Sequence, residues 1–305
     1  MHREKITNFL DDFFSIKTFM KDPQMGSFVP MVYENVNFNY QDAFEQDFNS
    51  RFDGLMLKGG DEVNNIYLSA FPAPDVLESF FAIAQSGDIF FSHHPIYIEN
   101  GDPKGEIGRG WMPLTAEQIN TFKEKGLSYF SCHSPMDYHL NIGTRAAMIN
   151  AFNCTYLADF FNDGTGPHGL IGIIPTCTTE QLSEKLLAVF NVPYLDLAGT
   201  NDSKTIRKVA LIAGGADNVD YMEKAESLGV DAYICGEFNS RFNTPWGIEN
   251  QKKVNEFLEN SNMKFFGVSH AACENLTFKT QLRVFFKSHF PDVNVYLLEQ
   301  KKWWF

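Results

Sequence analysis

The chain has 305 residues, which is enough for two ordinary domains, and its apolar share of 44% and charged share of 21% are typical of a globular protein. A formal net charge of −13, with no basic block to offset it, excludes a general binder of nucleic-acid phosphates. The thirty phenylalanines predict bulky apolar cores.

Cysteine usage and the N-terminus predict a cytoplasmic location. The five cysteines are scattered, odd in number and never in a CxxC pair, which excludes a disulfide framework or a thiolate zinc site. Residues 1–14 contain acidic Asp11 and Asp12, so they predict an amphipathic helix rather than a signal peptide. No apolar run approaches the ~18 residues that span a bilayer, so we expect no membrane association.

The first half of the chain contains a regular alternation of predicted elements. Strands are predicted at 65–70, 88–92 and 127–132, and helices at 74–85 and after the capping-box sequence Thr115-Ala116-Glu117-Gln118. Residues 22–50 are rich in Asn, Pro, Gly and aromatic residues and have no clear period, so we expect irregular, mostly surface structure there. Strand, helix and strand at this spacing are typical of a parallel α/β sheet.

The second half repeats this alternation. Helices are predicted at 141–152, 179–190, 217–228, 248–260 and 271–289, and strands at 169–174, 208–213, 231–235, 264–268 and 293–298. The pattern predicts an α/β protein of two halves, with mixed or parallel sheets flanked by helices. The last helix and strand could return to the first half.

Three predicted strands end in residues that bind metals. These residues are His93 and His94 after the second strand, His133 and Asp137 after the third, and His270 and Glu274 after the strand at 264–268. In open parallel sheets, ligands gather beyond the carboxyl ends of the strands. A mixed imidazole and carboxylate set suits Zn, Fe, Mn, Co or Ni. It exceeds what one open tetrahedral site uses, so we expect two divalent ions bridged by a carboxylate.

Other residues leave alternatives open. Glu237 also ends a strand and could face the site or only solvate the sheet edge, and Gly214-Gly215 could approach a phosphate or form a tight turn. We expect the remaining histidines and cysteines to be structural. The sequence contains no HExxH, GxSxG or Walker A motif, which excludes the enzyme classes that these motifs mark.

Several segments together resemble the Nif-three-like family of dinuclear metal proteins, some members of which bear the name GTP cyclohydrolase I type 2. The resemblance rests on Gly54-Leu55, the segment from Asp88 to Pro95, His133-Ser134-Pro135-Met136-Asp137, Ala213-Gly214-Gly215, the segment from Asp231 to Glu237, Gly267-Val268-Ser269-His270 with Glu274, and Phe290-Pro291-Asp292-Val293. It covers nearly all of the chain from about residue 52. The first fifty residues are longer and less familiar, and Ser134-Pro135-Met136 replaces the residues usual before the aspartate.

The resemblance implies a site and an assembly. The implied metal ligands are His93, His94, Asp137, His270 and Glu274, with His133 close to the ions as a non-ligand and a candidate general acid or base. It also implies domains of 1–140 plus 262–305 and of 141–261, in a toroidal homohexamer. We expect a metal-dependent hydrolase of a small, phosphorylated or nucleotide substrate. The alternatives are GTP ring opening and a non-catalytic metal-handling or regulatory protein.

Overall fold

The computed structural model describes residues 1–162, 166–199 and 205–304. The helices are α1 (Arg3–Phe13), α2 (Met25–Asn35), α3 (Tyr40–Ala43), α4 (Gln46–Arg51), α5 (Pro74–Ile83), α6 (Ala116–Glu124), α7 (Ser134–Asp137), α8 (Thr144–Phe152), α9 (Thr179–Phe190), α10 (Val219–Ser227), α11 (Pro245–Asn260), α12 (His270–Thr277) and α13 (Arg283–His289). The strands are β1 (Gly54–Leu57), β2 (Asn65–Ser69), β3 (Ile89–Ser92), β4 (Tyr97–Glu99), β5 (Gly110–Met112), β6 (Ser128–Ser131), β7 (Thr155–Asn162), β8 (Pro167–Cys177), β9 (Asp196–Ala198), β10 (Ile206–Ile212), β11 (Ala232–Cys235), β12 (Lys264–Gly267) and β13 (Asn294–Leu297). A π-helical segment, Phe278–Leu282, joins α12 to α13. Within the described part of the chain, no helix is long and apolar enough to cross a membrane.

The chain forms two compact units, both of mixed α/β structure as predicted. Unit 1 consists of Met1–Ile98, Trp111–His139 and Phe278–Lys301. Unit 2 consists of Glu99–Gly110, Leu140–Thr277 and Lys302–Phe305. The short hairpin of β4 and β5 contains two of the points at which the chain passes from one unit to the other.

Unit 1 is built on a sheet with the strand order β1-β6-β3-β2-β13. The pairs from β6 to β13 are parallel, and β1 is antiparallel to β6. Successive side chains of β3 point to opposite faces of the sheet, as strand geometry requires. Phe90 packs in the cluster formed with α2, α5 and α6, while the Phe91 ring lies 4.9 Å from that of Phe286 on α13. Helices thus cover both faces of the sheet.

The region 22–50 contradicts the prediction of irregular, mostly surface structure. It forms α2, α3 and α4, and it buries Val29, Tyr33 and Phe48 in the core of unit 1. The Tyr33 hydroxyl accepts a hydrogen bond from the Leu114 backbone N–H at 3.2 Å. The prediction was wrong because α3 and α4 have only 4 and 6 residues, too few to show a helical period, and because Pro30 lies inside α2.

Unit 2 is built on a sheet with the strand order β7-β8-β10-β11-β12-β9. Strands β10, β11 and β12 run parallel, and the other pairs are antiparallel. Val209 and Leu211 of β10 belong to the apolar cluster with α8, α9 and α12, whereas Ala210 and Ile212 belong to the cluster with α10 and α11. This alternation shows a central strand buried on both faces.

The compact units differ from the predicted domains of 1–140 plus 262–305 and of 141–261, because residues 99–110, 262–277 and 302–305 belong to unit 2 rather than to unit 1. Strand β12 pairs in parallel with β11, so residues 264–277 belong to unit 2 and only 278–301 return to unit 1. The single helix expected at 271–289 is divided by the π-helical segment, and the chain enters unit 1 where that segment begins. Helical periodicity continues through such a segment, so the sequence pattern did not reveal the crossing.

Candidate metal centre

Two parallel strands of unit 1 bring histidines to the same edge of its sheet. Ser92 of β3 is paired with Ser131 of β6, and the Cys132 N–H donates to the Ser92 carbonyl at 3.0 Å. His93, His94 and His133 follow directly where the two strands end. The strand-end argument from sequence therefore holds for these residues, and all three are buried.

The three imidazoles form a compact group. Their ring centroids are 4.5 Å apart for His93 and His94, 4.8 Å for His93 and His133, and 4.7 Å for His94 and His133. One nitrogen from each ring lies within 4.8 Å of the others. Donors on a tetrahedral zinc ion are ~3.4 Å apart, from Zn–N bonds of about 2.1 Å. Side-chain adjustments of about 1 Å would therefore let this group hold an ion.

His93 is held in the orientation of a metal ligand. Its Nδ1 lies 2.9 Å from the Cys132 carbonyl oxygen, which can only accept a hydrogen bond, so Nδ1 is protonated. Its Nε2 faces the Asp137 carboxylate at 3.4 Å, and α7 places that carboxylate one turn after His133. A backbone carbonyl that fixes the ring through one nitrogen is the arrangement typical of histidines that bind a metal through the other nitrogen.

The backbone and ring of His94 are also fixed by packing. Its carbonyl oxygen accepts hydrogen bonds from the Ser92 hydroxyl at 2.6 Å and from the Tyr129 hydroxyl at 2.8 Å. Its ring stacks on Phe71 with a centroid distance of 4.2 Å. Adjacent histidines can share one site here because β3 ends at Ser92, where side chains no longer alternate strictly between faces.

His133 contacts two carboxylates that the sequence did not indicate. The Asp22 Oδ2 atom lies 2.8 Å from His133 Nδ1, and the His133 N–H donates to Asp53 Oδ1 at 2.6 Å. Burial opposes the ionisation of Asp22, but the His133 imidazole and hydrogen bonds from His133, Ser134 and Met25 hold the pKa of Asp22 below its usual range. Burial, reinforced by the charge of Asp22, raises the pKa of Asp53 well above its ordinary value.

A local signal for Asp22 exists in the sequence, although its partner could not be found there. Asp22 precedes Pro23 and the start of α2, and an aspartate in that position is typical of a turn or helix cap. Its Oδ1 atom does accept from the backbone N–H groups of Gln24 and Met25. The contact with His133, which is 111 residues away, depends on the tertiary fold.

Unit 2 holds the remaining predicted ligands in a second group. His270 begins α12 directly after β12 and Ser269, and Glu274 lies one turn later. The His270 Nε2 and Glu274 Oε1 atoms are 3.0 Å apart, as expected for residues at i and i+4 on one helix face. Both side chains are buried. Placed side by side, an imidazole and a carboxylate are a donor pair for a transition-metal ion.

The opposite side of the His270 ring has its own partners. Its Nδ1 lies 3.3 Å from the Asn100 side-chain nitrogen and 3.7 Å from Glu237 Oε2. Burial opposes protonation, but the carboxylates of Glu274 and Glu237 outweigh it and raise the pKa of His270 to about 10. Glu237 therefore lies inside the site region, beside the nitrogen that does not face Glu274.

Gly214 and Gly215 form a turn that packs against His270 and Glu274. The Glu237 N–H donates to the Gly214 carbonyl at 3.1 Å, and the Ala216 N–H donates to the Glu237 carbonyl at 2.7 Å. A Cβ atom on Gly214 would lie 2.5 Å from both Glu274 Oε1 and His270 Nε2. The absence of a side chain at Gly214 is what admits the ligand pair.

The predicted site residues thus form two groups, one in each unit. His93, His94, His133 and Asp137 lie together in unit 1, and His270 and Glu274 lie together in unit 2. Among the histidines expected to be structural, His139 stacks on Phe13 at 4.7 Å, and His289 Nδ1 lies 2.9 Å from the Phe285 carbonyl within α13. The cysteines are free thiols.

Most of the chain is similar to proteins that are already known. A family model described as Duf34/NIF3 (NGG1p interacting factor 3) matches residues 31–302. A protein of Vibrio cholerae serotype O1 named GTP cyclohydrolase 1 type 2 homolog is 28% identical over 193 residues, which are 62% of this chain and 71% of that protein.

Solved structures share the fold. A protein described as ybgI, of unknown function, aligns with a TM-score of 0.67 at 15% identity and covers 99% of this chain and 100% of its own. Reduced HcgD from Methanocaldococcus jannaschii aligns with a TM-score of 0.62 at 16% identity over 98% of both chains. At these identities the likeness establishes the fold alone.

Proposed function

The chain belongs to the Duf34/NIF3 family, and we propose that it is a metal-dependent hydrolase of a small, phosphorylated or nucleotide substrate. The observation that supports this most directly is the buried group of three imidazoles at the ends of β3 and β6. His93 of this group faces the Asp137 carboxylate, and neutral imidazoles beside a carboxylate offer the lone pairs that a transition-metal ion uses.

We propose that two divalent ions are held by His93, His94 and Asp137 of unit 1 and by His270 and Glu274 of unit 2. The donor chemistry fits Zn, Fe, Mn, Co or Ni, because nitrogen and carboxylate donors are mixed. The orientation of His93 by a backbone carbonyl and the space left by Gly214 beside Glu274 both suit ligand residues. When bound, such ions lower the pKa of water toward neutrality and stabilise developing negative charge.

In this proposal His133 is the general acid or base rather than a ligand. Asp22 occupies its Nδ1, so one nitrogen remains to exchange a proton with a reacting group. The ring lies beside the proposed ligands His93 and His94, with centroids less than 5 Å away. A proton-transfer residue must be within hydrogen-bond reach of the reacting atoms, and the place of His133 beside the proposed ligands supports this role.

The test is a screen of purified protein reconstituted with each metal against phosphoesters, nucleotides and amides. His133→Asn should keep the metal content and lower turnover of the hydrolysed substrate by ~10²–10⁴-fold, the range for one proton-transfer residue. His289→Asn is the matched control, because His289 bonds within its own helix and should change neither quantity. Loss of metal in His133→Asn would make His133 a ligand, and unchanged turnover would make it structural.

The name of the Vibrio cholerae relative favours a second candidate function, the ring opening of GTP. Incubation of the metal-loaded protein with GTP, followed by chromatography of the products, tests it directly. Ring opening by one water leaves C8 as a formamide and a second water releases it as formate, whereas phosphoester hydrolysis releases phosphate. Tight metal binding without turnover of any substrate would favour a metal-handling or regulatory protein instead.

We also propose a homohexameric assembly in the cytoplasm. The hexamer follows from the family resemblance, and the free thiols suit a reducing compartment. Light scattering on the native protein should give a mass about six times the 34.7 kDa of the chain. A monomer or dimer mass would contradict the assembly, and enrichment in a membrane or secreted fraction would contradict the location.

A further inference from the structure

The carboxylate of Asp22 is buried and has four hydrogen-bond partners. Its Oδ1 atom accepts from the backbone N–H groups of Gln24 at 3.0 Å and Met25 at 2.6 Å. Its Oδ2 atom lies 3.1 Å from the Ser134 backbone nitrogen and 2.8 Å from His133 Nδ1. Three of these partners are backbone N–H groups, which can only donate. Burial opposes the ionisation of Asp22, but its partners hold its pKa below the usual range, so the carboxylate is ionised and has only lone pairs to offer to the fourth partner.

An acceptor-only carboxylate determines which nitrogen of His133 is protonated. The Nδ1 atom must donate to Asp22, because two lone pairs facing each other at 2.8 Å would repel. The Ser134 hydroxyl, 3.2 Å from the same nitrogen, can turn its lone pair toward the shared proton. A neutral His133 therefore has its proton on Nδ1 and an unprotonated Nε2.

We propose that Asp22 is a positioning residue that holds the His133 ring in the tautomer with the proton on Nδ1 and the lone pair on Nε2. This inference rests on the proposed role of His133 as general acid or base and adds the group that prepares it for that role. A carboxylate behind the imidazole of a general base orients the ring and stabilises the imidazolium that forms. Asp22 lies outside the residues 31–302 that the family model matches, whereas His133 lies within them.

Helix capping alone does not account for Asp22. The cap of α2 uses only Oδ1, and a serine hydroxyl could supply that acceptor. The Oδ2 atom serves His133 and Ser134, on the loop between β6 and α7. The two oxygens thus have separate roles, and substitutions can separate them.

The test is ¹⁵N NMR spectroscopy of the histidine rings. The full-length protein is labelled with ¹⁵N-histidine and loaded with zinc. The signals of His133 are identified by their absence in His133→Asn. In the wild type we expect the proton on Nδ1, with a tautomer ratio above ~10 to 1, because the bond to an ionised acceptor is strong. A wild-type spectrum in which His133 Nδ1 is unprotonated would by itself overturn the proposal.

Two variants separate capping from positioning. Asp22→Asn should reverse the tautomer, because the amide NH₂ donates to Nδ1 and drives the proton to Nε2. Asp22→Ser should retain the cap of α2 and the fold, with a lower Tm because the buried Ser134 N–H loses its acceptor, and it should lose the preference for Nδ1. If both variants keep the wild-type His133 spectrum, Asp22 is only a cap and the proposal is wrong.

These spectra are recorded without substrate, so the two proposals can fail separately. Absence of turnover in the screen would overturn the hydrolase and leave the Asp22–His133 assignment standing. A wild-type proton on Nε2 alone would overturn the assignment and leave the hydrolase open to test by His133→Asn.

Discussion

Substituting Gly214 tests whether the turn after β10 holds the ligand pair of unit 2 in place. Gly214 has a φ of +58°, and an added Cβ would meet Glu274 Oε1 and His270 Nε2 at 2.5 Å. Ordinary contacts to a Cβ begin near 3.4 Å. In Gly214→Ala the two buried side chains must therefore move by roughly 0.9 Å or the turn must open.

Two costs add in this variant. A side chain at a left-handed backbone position costs roughly 1–2 kcal/mol, and overpacking a buried site costs typically about 1–3 kcal/mol. Gly229 provides the matched control, since its φ is +67° and nothing lies within 4 Å of its added Cβ. Gly229→Ala should show only the first cost, so Gly214→Ala should be less stable by the second.

The decisive measurements are urea unfolding and zinc affinity by chelator competition. Displacing a ligand pair should weaken zinc binding by about 10- to 100-fold in Gly214→Ala, by analogy with the loss of residues that orient ligands. Gly229→Ala should bind zinc like the wild type. Equal zinc affinity in the two variants would refute the argument that Gly214 makes room for His270 and Glu274 as ligands.

Three further predictions address the pH response, the ligand set and the N-terminal core. Burial raises the pKa of Asp11 to about 6, whereas an unfolded aspartate titrates near ~3.9. The folded chain therefore binds the extra proton between these values, and ionised Asp11 lowers stability above pH 6. Asp11→Asn should match the wild type in free energy of unfolding below about pH 4 and exceed it by about 1 kcal/mol at pH 7, after allowance for partial exposure. Elemental analysis should find that Glu274→Ala loses more metal than Glu237→Ala, because Glu237 faces the opposite nitrogen of the shared imidazole. Tyr33→Phe should cost about 1–2 kcal/mol in denaturant unfolding, because it leaves a buried backbone N–H without its acceptor. The same change at exposed Tyr296 should stay within about 0.5 kcal/mol.

Each of these predictions has a contradicting result. A stability gain in Asp11→Asn that is equal at pH 4 and pH 7 would mean that the carboxyl does not titrate as proposed. Equal metal loss in the two glutamate variants would place Glu237 among the ligands. Equal, small effects at Tyr33 and Tyr296 would mean that the hydrogen bond between Leu114 and the Tyr33 hydroxyl contributes no net stability.

Local patterns located many of the helices and strands and the residues proposed as metal ligands. Period-two and helical spacings located β2, β3, β6 and α5, and the capping box at Thr115 and Gln118 is present at the start of α6. His93 and His94 were identified because an apolar run ends in two imidazoles. Glu274 was identified from its i, i+4 spacing to His270. These signals are local, so the order of the residues alone contains them.

Contacts between distant segments were decided only by the tertiary structure. Nothing near Asp22 indicates that it meets His133, and nothing near Gly214 indicates that its missing side chain makes room for Glu274. The sheet that β12 joins was also undetermined, because a buried parallel strand has the same apolar pattern whichever neighbour it pairs with. Residues 22–50 became core only because the sheet of unit 1 offers them an apolar face to cover. Local spacing specifies an element, but burial and hydrogen-bond partners depend on what the rest of the chain places beside it.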